Sequence, residues 1–189
     1  MENQILDSDF TQKEPDTKIE YAGFWIRALA SLLDSLVLVP VFLLMLVNFA
    51  FIKSLPLELF FVLIMFFYKP FMEFSYGSTL GKMVTKIKVV NHDMEKISIA
   101  DALFRYSPWM PAQLISLYLS AELFNLPQFA ETTTFIESFL LYGESTSQAD
   151  TVSNVFNVLL LISCLFAAFT EKKRALHDMV AGTYCIYKR

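Results

Sequence analysis

The feature that most constrains the fold is a set of four long apolar runs that carry very little charge. They cover about residues 24–50, 57–74, 104–124 and 151–170. An α-helix needs about 20 mostly apolar residues to cross the hydrocarbon core of a bilayer. Lipid offers the backbone no hydrogen-bond partners, so each run is expected to be helical. The sequence therefore predicts an all-α integral membrane protein with four transmembrane helices.

The composition supports a membrane protein and argues against other classes. Hydrophobic residues make up 55% of the 189 positions and charged residues only 18%, whereas a soluble domain has about 25% charged residues. The formal net charge of −4 argues against a nucleic-acid partner, because nucleic-acid-binding domains are normally basic. Cys164 and Cys185 are predicted to be small apolar side chains rather than a disulfide.

The positions of Lys and Arg predict the orientation, because basic loops stay on the cytoplasmic side of a membrane. One loop of the predicted outer side carries Lys53 and the other carries no basic residue. The basic residues after the second and fourth runs are Lys82, Lys86, Lys88, Lys96, Arg105, Lys172, Lys173, Arg174, Lys188 and Arg189. Both termini are therefore predicted to be cytoplasmic. Residues 1–20 form an acidic cytoplasmic tail, unlike a signal peptide, and residues 21–189 form the membrane domain.

Two connections have patterns of their own. Polar and apolar residues alternate over residues 85–90 and again over 96–99, which predicts a short cytoplasmic β-hairpin, with a helix starting near Ser98. In the outer loop, Phe135, Ile136, Phe139 and Leu140 share one helix face, which predicts a separate amphipathic helix on the outer surface. A short strand over residues 184–187 is predicted to pair with the segment around residues 86–90.

Charged residues inside an apolar run are the candidates for function. A charge at the centre of a membrane helix costs about 2.5–3.5 kcal/mol on insertion scales, so it needs a partner, a water path or a role. Arg27 lies near the start of the first run and its side chain can reach the headgroups. Asp34 lies seven residues further on, about 10 Å deeper on the same helix face. Its short side chain cannot reach the surface, so Asp34 is the carboxylate that requires an explanation.

A further group of candidates follows the fourth run. Arg174 and Asp178 are four residues apart and can pair if this stretch is helical. His177 between them titrates near neutral pH. Near the second run, Glu73 and Lys69 are expected to form a pair at the interface.

Three motifs resemble those of the RDD family of small multi-spanning bacterial membrane proteins, which is named for one arginine and two aspartates. Residues 22–34 read AGFWIRALASLLD and supply Arg27 and Asp34. Residues 174–183 read RALHDMVAGT and supply Asp178.

The family's middle signature resembles Glu73 followed by GSTLGK, which ends at Lys82, and by residues 86–90. The resemblance extends over about residues 21–187. It implies a multi-pass protein of the bacterial cytoplasmic (inner) membrane, of largely unassigned function, with ion or proton-coupled transport suggested for some members.

Several functions remain open at this stage. Arg27, Asp34 and Asp178, supported by Glu73, Lys82, Arg174 and His177, are expected to form a polar cluster. In one hypothesis the cluster serves cation or proton-coupled transport, with Asp34 as the acceptor. In the alternative it is structural, and the protein is a non-catalytic scaffold or accessory subunit. In a third, Arg27, Lys82 and Arg174 capture a lipid headgroup.

The remaining expectations concern chemistry and partners. We expect no enzyme activity, no cofactor and no metal, because no catalytic motif is present and neither histidine has a second ligand at metal-binding spacing. The expected partners are the lipid bilayer, a second copy of the chain in a homo-oligomer, and a protein that contacts the outer loop at residues 125–150. No nucleic acid is expected.

Overall fold

The computed structural model describes residues 19–188, which are mostly helical. The predicted acidic tail at residues 1–20 lies outside the described residues except for its last two positions. The elements are α1 (Phe24–Val47), a π-helical turn (Asn48–Ile52), α2 (Leu55–Tyr76), α3 (Leu80–Val84), β1 (Ile87–Val90), α4 (Ile99–Tyr106), a 3-10 turn (Ser107–Trp109), α5 (Met110–Asn125), α6 (Pro127–Glu131), α7 (Phe135–Phe169), α8 (Leu176–Val180) and β2 (Tyr184–Tyr187).

Two helices are long and apolar enough to cross a membrane. The first is Phe24–Ile52, which consists of α1 and the π-helical turn and has 29 residues. The second is α2, Leu55–Tyr76, with 22 residues. Large apolar side chains on α1 point away from the protein, and Leu32 and Leu36 are each 67% exposed. A soluble protein does not leave so large an apolar surface uncovered, whereas lipid chains cover it without cost. Asn154–Phe169 is a shorter apolar segment.

The third apolar run is divided rather than continuous. α4 begins after Ser98, whose hydroxyl accepts a hydrogen bond from the Asp101 backbone N–H, so the predicted helix start near Ser98 is confirmed. It gives way to the 3-10 turn that contains Pro108, and α5 follows with 16 residues. Proline lacks an N–H and interrupts the regular helix at this point. At 1.5 Å per residue α5 is about 24 Å long, somewhat less than the hydrocarbon core.

The prediction of a separate amphipathic helix on the outer surface is wrong. Phe135 and the residues after it belong to α7, a single helix of 35 residues that continues through the fourth apolar run. Thr134 and Glu137 begin this helix with a reciprocal pair of side-chain to backbone hydrogen bonds. Past this cap α7 contains no proline, and Gly143 alone does not stop it. α6 is the separate short helix of this loop.

The predicted β-hairpin is also wrong, although its first strand forms. β1 pairs with β2 in an antiparallel register that places Val89 opposite Cys185, so the prediction that the terminal strand joins this segment is confirmed. After β1 the Asn91 side chain accepts hydrogen bonds from the backbone N–H groups of Asp93 and Glu95. This turn leads Ile97 into a buried contact with Val89 rather than into a second strand.

A third segment joins the other edge of β2. The Ala22 backbone N–H donates to the Cys185 carbonyl at 2.9 Å, and the Tyr187 N–H donates to the Glu20 carbonyl at 3.0 Å. β2 is therefore central, with β1 on one side and the chain before α1 on the other. The start of α1, the chain after α2 and the chain after α8 consequently meet at one end of the molecule. Both cysteines are free.

The short helix α3 packs directly on α1 because residue 81 is a glycine. A Cβ atom at Gly81 would lie 2.0 Å from the Ala30 carbonyl oxygen and 2.8 Å from the Asp34 backbone nitrogen. Both are backbone atoms of α1 and cannot move aside as a flexible side chain can. The contact requires the absence of a side chain at this position.

We predict that Gly81→Ala lowers the thermal unfolding temperature in detergent, because α3 must move away from α1. The free energy of unfolding should fall by more than the about 1–3 kcal/mol that is typical of overpacking. Gly143→Ala is the matched control, since a Cβ there meets nothing within 4 Å. In a helix interior that change is expected to stabilise by about 0.5–1 kcal/mol. A wild-type unfolding temperature for Gly81→Ala would contradict the close contact.

Candidate functional site

One buried carboxylate, that of Asp178 in α8, lies where several elements meet. It is fully buried and forms ion pairs with Arg27 of α1 and Arg105 of α4, the latter at 2.5 Å. His177 Nε2 lies 3.2 Å from the same carboxylate. The Ala175 backbone N–H also donates to it, at 3.1 Å, so Asp178 caps its own helix. The carboxylate thereby links α1, α4 and α8.

The ion pairs continue from Arg105 into α2 and α3. Arg105 Nε lies 3.0 Å from the Glu73 carboxylate, and Glu73 also pairs with Lys82. The charge network therefore alternates in sign, and its members in order are Arg27, Asp178, Arg105, Glu73 and Lys82. Each comes from a different helix. Such alternation offsets the cost of desolvating each charge, because every member has an opposite charge beside it.

The geometry perturbs the titration of the two adjacent groups in α8. Burial alone would raise the pKa of Asp178, but Arg105, the hydrogen bond from His177 and Arg27 together hold it well below its usual range. Burial lowers the pKa of His177 and outweighs the opposing effect of Asp178. His177 Nδ1 is buried without a hydrogen-bond partner among the described residues, and the ring packs against Trp109. At neutral pH the site thus contains an ionised Asp178 and a neutral His177.

Asp34 lies apart from this network. Among the described residues it forms no ion pair with Arg27 or with any other basic side chain. Its carboxylate instead accepts hydrogen bonds from the Tyr68 hydroxyl at 2.9 Å, the Thr79 hydroxyl at 2.6 Å and the Gly81 backbone N–H at 2.7 Å. Three donors at these distances satisfy a carboxylate without a counter-charge. Asp34 thereby holds the N-terminus of α3 against α1.

The other predicted residues have different partners from those expected. Arg174 precedes α8, so its guanidinium reaches the backbone carbonyl of Asp178, at 3.2 Å, rather than the carboxylate. It also stacks over the Tyr184 ring. Glu73 pairs with Lys82 and Arg105, and not with Lys69.

Arg105, which binds both Glu73 and Asp178, is the participant that sequence reasoning missed. It stands at the edge of an apolar run, where a basic residue indicates a membrane boundary. Its position as the penultimate residue of α4 gave no further signal. Thr79 and Gly81 lie within the GSTLGK motif, but a backbone N–H donor leaves no mark in a sequence.

A cavity of about 340 Å³ adjoins the charge network. Its charged lining comprises Arg27, Asp34, Lys69, Glu73, Lys82 and Arg105. Trp109 of the 3-10 turn and Tyr106 at the end of α4 supply part of an apolar wall. Over residues 19–188, no group of His, Cys, Asp and Glu has the arrangement to hold a metal ion. The site therefore combines buried ion pairs with space for a small molecule.

Comparison with known proteins assigns the family. A model of the RDD family matches residues 21–182. The chain belongs to the RDD family. The matched region contains Arg27, Asp34 and Asp178, and its family is one of membrane-associated proteins.

A curated relative is an uncharacterized protein, YckC, of Bacillus subtilis (strain 168). It is 27% identical over 173 residues, which cover 88% of this chain and 84% of the relative. No solved structure matches this chain. Membership in the RDD family therefore comes without an assigned activity.

We predict that Asp34→Asn destabilises the contact between α1 and α3. The amide nitrogen of Asn cannot accept a hydrogen bond, so one buried donor is left unpaired at a cost of about 1–3 kcal/mol. Thermal unfolding in detergent should show the loss, and hydrogen exchange should accelerate at residues 79–84. Asp93→Asn, at a side chain that is 78% exposed, is the matched control and should change neither. Unchanged exchange in Asp34→Asn would refute the tethering role.

We predict that the protein becomes less stable on acidification from pH 8 to pH 5. Burial lowers the pKa of His177 in the folded state, whereas an unfolded histidine has a pKa of about 6.5. Below that pH the unfolded chain binds a proton that the folded chain does not, so the equilibrium shifts toward unfolding. The depressed pKa of Asp178 acts in the same direction at lower pH.

His177→Gln should reduce the slope of unfolding temperature against pH between pH 7 and pH 5. His92→Gln is the control, because the His92 side chain is 84% exposed, and it should retain the wild-type slope. Equal slopes in the two variants would show that His177 is not the group responsible.

Proposed function

We propose that this RDD-family chain is a small transport protein of the bacterial cytoplasmic membrane, in which the charge network couples proton movement to that of a small solute. The observation that carries the proposal is the cavity beside the charge network. Buried ion pairs alone would suffice to fasten helices together. A cavity lined by the same ionisable groups gives a solute access to them.

The proposed topology has four spans, with both termini on the cytoplasmic side. The meeting of Tyr21, β1 and β2 at one end supports it, because the chain must return to that side after α2 and again after α7. α1 and α2 supply one pair of crossings. α5 packs against α7, and this antiparallel pair would supply the second. The basic residues of the β1 and β2 segments favour the cytoplasm for this side.

Glu73 is the acid whose loss of charge would change the network most, and a proton that binds it would have to displace Lys82 and Arg105, which stabilise its ionised form. Its carboxylate pairs with Lys82 of α3 and Arg105 of α4. Protonation would remove the charge that holds both, and Arg105 would keep only Asp178 as an acidic partner. Helices α2, α3 and α4 would then be less tightly linked around the cavity. The lining contains more basic than acidic side chains, which favours a proton over a metal cation as the coupled ion.

A second candidate function is that of a scaffold or accessory subunit with no transport activity. The direct ion pair between Arg27 and Asp178 supports it, because this pair joins α1 to α8. In that case a partner protein would contact the outer loop at residues 125–150, and the cavity would be incidental. In both cases we propose a protein without catalytic activity that forms homo-oligomers, since four spans with few polar residues enclose little of a pathway.

We predict proton movement in liposomes that contain the purified protein and an internal pH-sensitive dye. Sodium chloride, potassium chloride or sodium phosphate is added outside at constant pH, and at least one should change the internal pH faster than in protein-free liposomes. Glu73→Gln should reduce the initial rate by about tenfold or more, equivalent to a barrier increase of about 1.4 kcal/mol.

Glu95→Gln is the matched control, since Glu95 is exposed on the turn after β1. It should retain the wild-type rate. A rate equal to that of protein-free liposomes with all three salts would refute transport of these ions and favour the scaffold.

A further inference from the structure

Lys69 is a basic side chain of α2 that the charge network does not use. It lines the cavity, yet among residues 19–188 its ammonium group forms no hydrogen bond and no ion pair. Its charged neighbours are Lys82, Asp34 and Glu73. A lysine inside a membrane helix carries a cost that a partner normally offsets. The absence of one calls for an explanation.

The neighbouring acids are already occupied. Asp34 accepts from Tyr68, Thr79 and Gly81. Glu73 is bound on one oxygen by Lys82 and on the other by Arg105. Neither carboxylate forms a direct ion pair with Lys69.

The charge balance of the site points the same way. Four basic side chains line the cavity, namely Arg27, Lys69, Lys82 and Arg105. The acidic side chains are Asp34 and Glu73 in the lining, and Asp178, which pairs with Arg27 and Arg105. His177 adds no positive charge at neutral pH, because burial lowers its pKa. The site as a whole therefore has one more basic than acidic side chain, and Lys69 is the basic side chain of the lining that forms no ion pair among the described side chains.

We propose that the cavity binds an oxyanion, the carboxylate or phosphate group of a small molecule, with Lys69 as the cation that receives it. The cavity volume of about 340 Å³ suffices for such a group with part of the molecule that carries it. An anion would complete the charge balance, and the low dielectric around the cavity would strengthen its attraction to Lys69. Trp109 and Tyr106 would contact the apolar part of the molecule.

This inference names the solute class for the proposed transport function and rests on that function for its biological meaning. Binding can nevertheless be measured without any transport. The oxyanion has two sources, a dissolved anion from the cytoplasm or the headgroup phosphate of an anionic lipid. Both offer the same charged oxygens to Lys69.

The first experiment measures binding of inorganic phosphate to the detergent-purified, delipidated full chain by isothermal titration calorimetry. We expect binding by the wild type and a loss of affinity of about tenfold or more in Lys69→Gln. Lys86→Gln is the matched control, because Lys86 is exposed at the surface. It should bind phosphate as the wild type does. Equal phosphate affinities in all three proteins would overturn the proposal.

A second measurement needs no variant and so does not depend on the folding of Lys69→Gln. Formaldehyde and cyanoborohydride methylate accessible lysines, and mass spectrometry locates the products. Phosphate should protect Lys69 and leave Lys86 reactive. Equal methylation of Lys69 with and without phosphate would overturn the proposal for a dissolved anion.

The lipid source is tested with nanodiscs of phosphatidylglycerol and of phosphatidylcholine. Protection of Lys69 only in phosphatidylglycerol supports the oxyanion site and assigns it to a lipid headgroup. Protection by phosphate in both lipids supports it and assigns it to a dissolved anion. A Lys69 that is equally reactive under all four conditions overturns the site, whatever the result of the proton-flux experiment.

Discussion

The architecture depends on a carboxylate that has no contact with water. Asp178 forms ion pairs with Arg27 and Arg105, and through them α8 is attached to α1 and α4. Removing one member of a buried ion pair leaves an uncompensated charge, which is far more costly than never having placed the pair there. Separating α8 from α1 and α4 would therefore leave buried charges uncompensated, and this cost holds the three elements together in addition to the attraction between the charges. Apolar packing contributes less to the association of helices in lipid, because lipid competes equally for apolar surface.

Asp34 and Asp178 solve the problem of a buried carboxylate in opposite ways. Asp178 has two guanidinium groups beside it, whereas Asp34 has only hydroxyl and backbone donors. The first arrangement relies on charge and the second on the precise approach of α3, which Gly81 permits. The arginine and two aspartates that give the family its name therefore do not form one triad in this chain. Arg27 and Asp178 form a pair, and Asp34 serves a separate contact.

The sequence was most informative at positions where a residue type is energetically unfavourable. Arg27 and Asp34 stand out because charge is costly in an apolar run. β2 stands out as a short apolar segment that follows Gly182. Arg105 was missed as a site residue, since the same side chain at a helix end is also normal for the headgroup region. The extent of α7 was missed because polar residues between its outer and inner parts resemble a loop, and only the packing of the whole helix decides otherwise. The hairpin failed because the turn at Asn91 leads Ile97 into a buried contact with Val89, and β2 pairs with β1 instead.

The central position of β2 has a consequence for biosynthesis. The segment before α1 leaves the ribosome first and β1 follows, but these two segments do not hydrogen-bond to each other; each binds to β2. β2 is made only after α7 and α8, so the small sheet stays open until the intervening helices have been synthesised. Chains are synthesised at about 5–20 residues per second, so the nearly 100 residues between β1 and β2 leave this end of the protein unassembled for about 5–20 seconds. Formation of the sheet thus follows the synthesis of the helices that lie between its strands.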